Sequence, residues 1–310
     1  MQWESIQIMR KLHKLSLGVL FACLLTMIAA PGAVRAGDDN APSLKASIKV
    51  EADSSGGRLT NQLGMSFVLI PAGRFQMGAF GGDGDVKGLP RHTVIISKPF
   101  YMQTTEVTQE QFFALMGYNN SVHKGNPRLP VEFVTWEEAN EFVKLLNHKD
   151  PGKNYALPTE AQWEYACRAG GEGKWAFGDD PSQAKHYAWY EADTTQPVAQ
   201  KRPNAWGLYD MHGNVWEWVR DYFAGRYLPT GTVRDPYIPN PRQRKKDDEG
   251  FERPGVSQDN FVPNNQRVMK GGSFRYGLEG MKSAYRTCFG AFTVKAKSYE
   301  VGFRVICSTD

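Results

Sequence analysis

The sequence predicts an α+β fold with little regular secondary structure, and three observations point there. Three segments open on a Thr followed three residues later by Gln or Glu, the capping box that starts a helix. Around them lie short apolar or alternating runs broken by turn residues, which read as strands. The 31 glycines and 18 prolines among 310 residues favour long ordered loops over a helical bundle. A hydrophobic content of 41%, with 12% aromatics, suffices for a substantial core, and a mean hydropathy of −0.49 excludes a polytopic membrane protein.

Residues 1–36 read as an export signal. Arg10, Lys11 and Lys14 form a basic start, Leu15 to Ala30 an apolar run, and Val34-Arg35-Ala36 a small-residue cleavage site. The run is short for a spanning helix and Pro31-Gly32 closes it; an uncleaved anchor is the alternative. Residues 37–60 are polar and small, as in a flexible linker, and one domain is expected over 61–310. Met65 to Pro71 reads as a buried strand with a turn at Pro71-Ala72-Gly73, and His92 to Tyr101 as another strand. The capping boxes are Thr108 with Gln111, Thr135 with Glu138, and Thr159 with Gln162. Gly117 and Gly170 stand where left-handed helix stops are expected. Past residue 171 the chain reads as short strands and long loops. Residues 224–266, with RQRKKDDEG at 242–250, read as a solvated surface loop or a recognition loop.

Loss of the signal removes Arg10, Lys11, Lys14 and Arg35 with Glu4, leaving 33 basic against 32 acidic residues. That balance gives no argument for nucleic acid or for a membrane surface. Cys167, Cys288 and Cys307 remain, and export favours one disulfide with one leftover thiol. His92, His123, His148, His186 and His212 show no HxxxH or HxxH pairing and read as structural. Neither a GxSxG elbow nor a Walker loop occurs.

The most informative run is NAWGLYDMHGNVWEWVRDYF at 204–223. Its aromatics need a core, while its glycines and Asn214 permit backbone that other residues resist. With Asp210 and Glu217 it reads as irregular backbone carrying oxygen ligands for a hard cation. Together with MSFVLIPAGRFQMG (65–78), EVTQEQF (106–112), LPTEAQWEYACRAGG (157–171), RVMKGGSF (267–274), SAYR (283–286) and VGFRV (301–305), it resembles the formylglycine-generating enzyme and sulfatase-modifying-factor family. The ordered set covers roughly residue 63 to the C-terminus.

The resemblance implies the sulfatase-modifying-factor variant of the C-type-lectin-like fold. It implies a structural Ca²⁺ held by Asp210, the carbonyls of Gly213 and Val215, and Glu217. A second calcium position of the family falls near Trp189, in place of an Asn, and is not expected to be kept. A binding groove is implied around Phe274, Arg275, Tyr276 and Arg286, and Ser273 is a structural residue of the family. Arg286 and Arg304 match family arginines whose partners could be Glu106, Glu160 or Glu164. Relatives bridge the helix cysteine to the C-terminal strands, which makes Cys167 a disulfide candidate with Cys288 or Cys307.

Formylglycine generators place two cysteines after the GGS motif to bind copper, because thiolates select Cu(I). No cysteine occurs here between Gly271 and Thr287, and Tyr276 and Met281 fall near the two positions. Copper and formylglycine generation are therefore not expected, and whether other catalysis remains is left open. The chain is expected to be a periplasmic or secreted accessory or regulatory module. Relatives of this kind act beside a membrane threonine kinase in type VI secretion. Its partner would be another exported or membrane protein, or a peptide-like substrate, and the cleaved chain would not be integral to the membrane. The alternative is an oxidative enzyme that matures a siderophore such as pyoverdine.

Overall fold

The computed structural model describes residues 51–52, 57–79, 90–223, 231–239, 266–288 and 295–309. The expected export signal and most of the charged 224–266 loop lie outside the described residues. No helix of the described residues is long and apolar enough to cross a membrane.

All three capping boxes form. Helix α1 (Gln109–Met116) starts at Thr108, whose hydroxyl accepts from Gln111 N at 3.2 Å while Gln111 Oε1 accepts from Thr108 N at 3.1 Å. Thr135 and Glu138 do the same for α2 (Trp136–Lys149), and Thr159 and Gln162 for α3 (Glu160–Arg168). Each box satisfies two donors that a helix start otherwise leaves open. Gly117 ends α1 at φ 77°, as expected. The stop of α3 comes one residue earlier than expected, with Ala169 already left-handed at φ 48° ahead of Gly170. A further one-turn helix, α4 (Ala184–Tyr187), lies in the region read as loop, along with 3-10 turns at Pro181–Gln183 and Leu278–Met281.

Eleven strands fill three sheets among the described residues: β1 (Glu51–Ala52), β2 (Arg58–Thr60), β3 (Ser66–Ile70), β4 (Gly73–Met77), β5 (His92–Ile96), β6 (Phe100–Gln103), β7 (Trp216–Tyr222), β8 (Thr232–Arg234), β9 (Arg267–Lys270), β10 (Val301–Gly302) and β11 (Ile306–Ser308). The largest sheet runs β1-β2-β3-β6-β11, antiparallel throughout. The others run β10-β7-β9 and β4-β5-β8. Ordered structure therefore begins ahead of residue 61, because β1 and β2 extend the main sheet from within the expected linker. The run from His92 to Tyr101 is two strands. Between β5 and β6 the chain leaves the sheet at Ser97, where Asp235 accepts from the Ser97 amide at 2.8 Å, and Pro99 lacks the donor a ladder needs.

One core packs α1 and α2 against β3, β7 and β10, with Phe112 and Phe142 stacked at 5.8 Å. A second surrounds α3, which buries eight of its nine residues, acids included. A helix closed in on nearly every side must satisfy its charges internally. Glu160 takes Arg286 through two 2.8 Å contacts. Glu164 takes Lys270 at 3.1 Å, Arg168 at 3.0 Å and the Gly78 amide at 2.9 Å. Arg304 pairs with Glu217 on β7, at 2.7 Å through each of two nitrogens, and so with none of the three acids considered for it.

Among the described residues no disulfide joins Cys167, Cys288 and Cys307, so the expected bridge is not formed. Cys167 belongs to the core around α3, while Cys307 lies on β11 in the core around α1 and α2. Cys288 Sγ rests 3.4 Å from Gln266 Oε1. Burial pushes the Cys167 and Cys307 thiols up to about 12, so both stay protonated.

Arg304→Met should cost about 3–5 kcal/mol by leaving the Glu217 carboxylate buried without its cation. At about 2–4 °C per kcal/mol the drop is easily read in a thermal melt. Glu217→Gln with Arg304→Met should recover most of the loss; a double variant as unstable as the single would show that the charges are not what matters.

Candidate functional site

The 204–215 loop is anchored at its start by Asn204. Its Nδ2 donates to the Ala166 and Cys167 carbonyls at the end of α3, at 2.8 and 3.0 Å, and its Oδ1 accepts from the Trp206 and Leu208 amides. Asp210, Gly213 and Asn214 take φ values of 57°, 94° and 58°. A Cβ on Gly213 would stand 1.9 Å from the Trp189 carbonyl oxygen, so only glycine fits. Gly213 N then reaches Gly271 O at 2.8 Å, and Phe274 N reaches Asn214 O at 2.8 Å. The two family-like segments are thus stitched together by backbone.

Under this loop lies an excess of buried acid. Asp210 Oδ2 accepts from Ala199 N at 2.8 Å, while its Oδ1 and both Glu106 oxygens have no hydrogen-bond partner. Glu217 is filled by Arg304 and by Trp163 Nε1 at 2.7 Å. Desolvation pushes Asp210 up to about 6, against the pull of the Ala199 amide and Arg304. Desolvation and then the Asp210 charge raise Glu106 well above its usual range. Three carboxylates share one guanidinium, so a proton or a cation must balance the remainder. Among the described residues no group of three or more His, Cys, Asp or Glu could hold a metal ion. A hard cation here would rest on Asp210 Oδ1 and backbone carbonyls, and would share Glu217 with Arg304. An open, buried carboxylate oxygen of that kind fits Ca²⁺.

The expected groove residues divide. Arg275 and Tyr276 face outward, with Tyr276 42% exposed and its ring edge-on to Trp216 at 5.2 Å. Arg275 Nη1 donates to the Tyr299 hydroxyl. Phe274 is fully buried, edge-on to His123 at 5.2 Å. Arg286 is not a groove residue: it is 1% exposed and committed to Glu160. Ser273 donates to Glu300 Oε2 at 2.7 Å, which fixes the bend after the two glycines. Met281 is fully buried, and its Cγ would lie 2.5 Å from a Cβ on Gly272.

Cys167, His212 and Ser283 come together, with Cys167 Sγ 3.7 Å from His212 Nε2 and 3.5 Å from Ser283 Oγ. The trio is chemically quiet. His212 Nε2 accepts from the Ala176 amide and Nδ1 donates to Met281 O, which fixes a neutral ring, and burial lowers it to about 4. With the thiol up near 12, no proton moves from sulfur to nitrogen.

Sequence reading took His123 as structural and passed over Glu132, which the fold brings to it beside the groove. Glu132 Oε1 accepts from His123 N at 2.7 Å and lies 3.6 Å from Nδ1; Nδ1 and Glu132 Oε2 are both buried without partners. Nine positions of loop separate the two residues, and no spacing rule flags such a pair.

Burial pushes Glu132 up to about 7, against the His123 and Val122 amides. The fold therefore favours its neutral form and loses stability as pH rises from the ordinary carboxylate range to about 7. Glu132→Gln mimics that neutral form. It should melt with the parent near pH 5 and above it near pH 8, in circular-dichroism melts; equal melting at both would overturn this account.

A family model described as a sulfatase-modifying factor enzyme 1-like domain matches residues 56–309. A formylglycine-generating enzyme of Streptomyces coelicolor is 28% identical over 242 residues, 56% of this chain and 74% of that protein. A serine/threonine-protein kinase pkn1 of Chlamydia pneumoniae is 31% identical over 183 residues, 51% of this chain but only 28% of the kinase. Among solved structures, Treponema denticola variable protein 1 matches with a TM-score of 0.65 at 25% identity, covering 85% of this chain and 99% of that one. PvdO from Pseudomonas aeruginosa matches with a TM-score of 0.64 at 22% identity, covering 83% of this chain and 100% of that one, a likeness of fold alone.

Proposed function

This chain belongs to the family of sulfatase-modifying factor enzyme 1-like domains, and from that premise we propose that it is an exported binding module that does not generate formylglycine. The observation that carries the reading is the chemistry at the groove. By the family resemblance, Tyr276 and Met281 fall near the two positions where a formylglycine generator carries its copper-binding thiols, and neither is a cysteine. A phenol and a thioether do not replace a thiolate pair. Cys167 and Cys307 are buried protonated thiols in separate cores, and Cys288 lies against Gln266.

The same surface suits binding. Tyr276 is exposed yet backed by Trp216, and Arg275 is steered by Tyr299; rigid tyrosine and arginine are the side chains that anchor interfaces. A peptide-like segment of another exported or membrane protein is the ligand this pair would take. A stretch of a chlamydial serine/threonine-protein kinase resembles this chain, so domains of this kind occur in one polypeptide with a kinase; a role beside a membrane kinase, as in type VI secretion, belongs to the proposal itself. The likeness to PvdO is of fold alone and lends no support to siderophore oxidation.

Incubation with copper and a sulfatase-motif peptide should leave the cysteine mass unchanged in mass spectrometry; conversion to the aldehyde would sink the proposal. Arg275→Ala with Tyr276→Ala should remove partners that the parent captures from a periplasmic and membrane extract, while leaving the melting curve unchanged.

We further propose that Ca²⁺ occupies the Asp210 loop, with Glu217 and the Gly213 and Val215 carbonyls as the remaining oxygens. When bound, the ion supplies positive charge to the acid excess and ties the loop to β7. At 100 times its dissociation constant a ligand adds about 2.7 kcal/mol to the native state. Ca²⁺ should therefore raise the melting temperature of chelator-treated protein by several degrees. Asp210→Asn should erase that response and melt above the metal-free parent, because it deletes a buried charge. A parent melt indifferent to both Ca²⁺ and chelator would mean that protons alone balance the acids.

A further inference from the structure

Away from the groove, a cleft of about 310 Å³ lies between the outward side of β2 and β3 and the 207–209 stretch of the motif loop. Pockets for small molecules begin at about 300 Å³. Strand alternation sets its polar side chains there. Along β2 the pattern runs exposed, buried, exposed, so Leu59 enters the core while Arg58 and Thr60 stand outside. Thr60 pairs with Ser66 of β3, their hydroxyl oxygens 3.2 Å apart. Backbone bonds hold the opposite wall: Thr104 N donates to Ser66 O and Tyr209 N to Thr104 O, each at 2.8 Å. Those bonds use up the Thr104 and Tyr209 amides, so the groups left for a ligand are side chains.

Arg58 is the one charged residue that lines the cleft. Its guanidinium has neither an ion pair nor a hydrogen bond among the described residues. Gly207, left-handed at φ 81°, lets it approach the loop: a Cβ there would stand 3.5 Å from Arg58 Nη2. The rest of the polar lining is hydroxyl, from Thr60, Ser66, Thr104 and Tyr209. A guanidinium fork matches a carboxylate through two parallel bonds, while hydroxyls both donate and accept and so suit other hydroxyls. One cation without a second calls for one negative charge.

We propose that this cleft binds a hydroxylated monocarboxylate, a sugar acid of the hexuronate kind, with its carboxylate on Arg58 and its hydroxyls on Thr60, Ser66, Thr104 and Tyr209. Arg275 and Tyr276 take no part, so the site stands or falls apart from peptide binding at the groove.

The test uses the full chain at fixed ionic strength, titrated calorimetrically with D-glucuronate, with a glucuronate-terminated disaccharide, and with acetate and glucose as controls. Glucuronate should bind saturably. Acetate lacks the hydroxyls and glucose lacks the charge, and each should bind at least about tenfold more weakly. Tighter binding of the disaccharide assigns the site to the end of a glycan, and equal or weaker binding assigns it to the free sugar acid. Arg58→Gln should weaken glucuronate by about tenfold to a hundredfold, as loss of a charged hydrogen bond does, and leave glucose unaffected. Its melting curve should match the parent, because Arg58 is exposed. Tyr209→Phe should weaken glucuronate severalfold. Glucuronate that fails to saturate, a control that binds as tightly as glucuronate, or an Arg58→Gln variant that binds like the parent overturns the proposal.

Discussion

Glu160 and Glu164 sit on a helix with almost no solvent side, and Lys270, Arg286 and Arg168 hold them there. With Glu217 and Arg304 they form an ionic interior that apolar packing surrounds but does not replace. Removing one member strands a charge away from water, which costs far more than the pair contributes as a pair. The orientation of α3, and through Asn204 that of the 204–215 loop, follows from these contacts. The outward pair Arg275 and Tyr276 inherits its position from the same frame, because Gly271 and Phe274 are bonded to that loop.

This frame separates residues that look alike in sequence. Arg275 and Arg286 are eleven positions apart in one segment, but one meets solvent and the other closes on Glu160. Asp210 and Glu217 both sit near Arg304, but one keeps an open oxygen and the other keeps none. In each case burial and the nearest opposite charge decide whether a polar side chain is available to a ligand.

Legibility from sequence followed the range of the interaction. The three helix starts were readable because a capping box closes within four residues. The stop of α3 was misplaced by one residue because Ala169 adopts a left-handed conformation that its side chain gives no hint of. Strands β1 and β2 were hidden in polar, small-residue sequence, since their pairing with β3 is a tertiary matter. The motif carrying Asp210 and Glu217 could be found, but not that Arg304, 87 positions after Glu217, would claim the latter. The disulfide expectation failed because a count of cysteines carries no distance, and the two buried thiols belong to different cores.

Lys270, Arg286 and Arg304 all follow the acids they neutralise, by as much as 126 positions. A chain emerging N-terminus first presents Glu160, Glu164 and Glu217 long before their principal cations exist. Desolvating those acids early is unfavourable, so the centre of the domain has no stable arrangement until its last stretch arrives. Such a polypeptide stays open while it is being made, and a product cut short before Arg304 is marked by the very carboxylates that a finished one conceals.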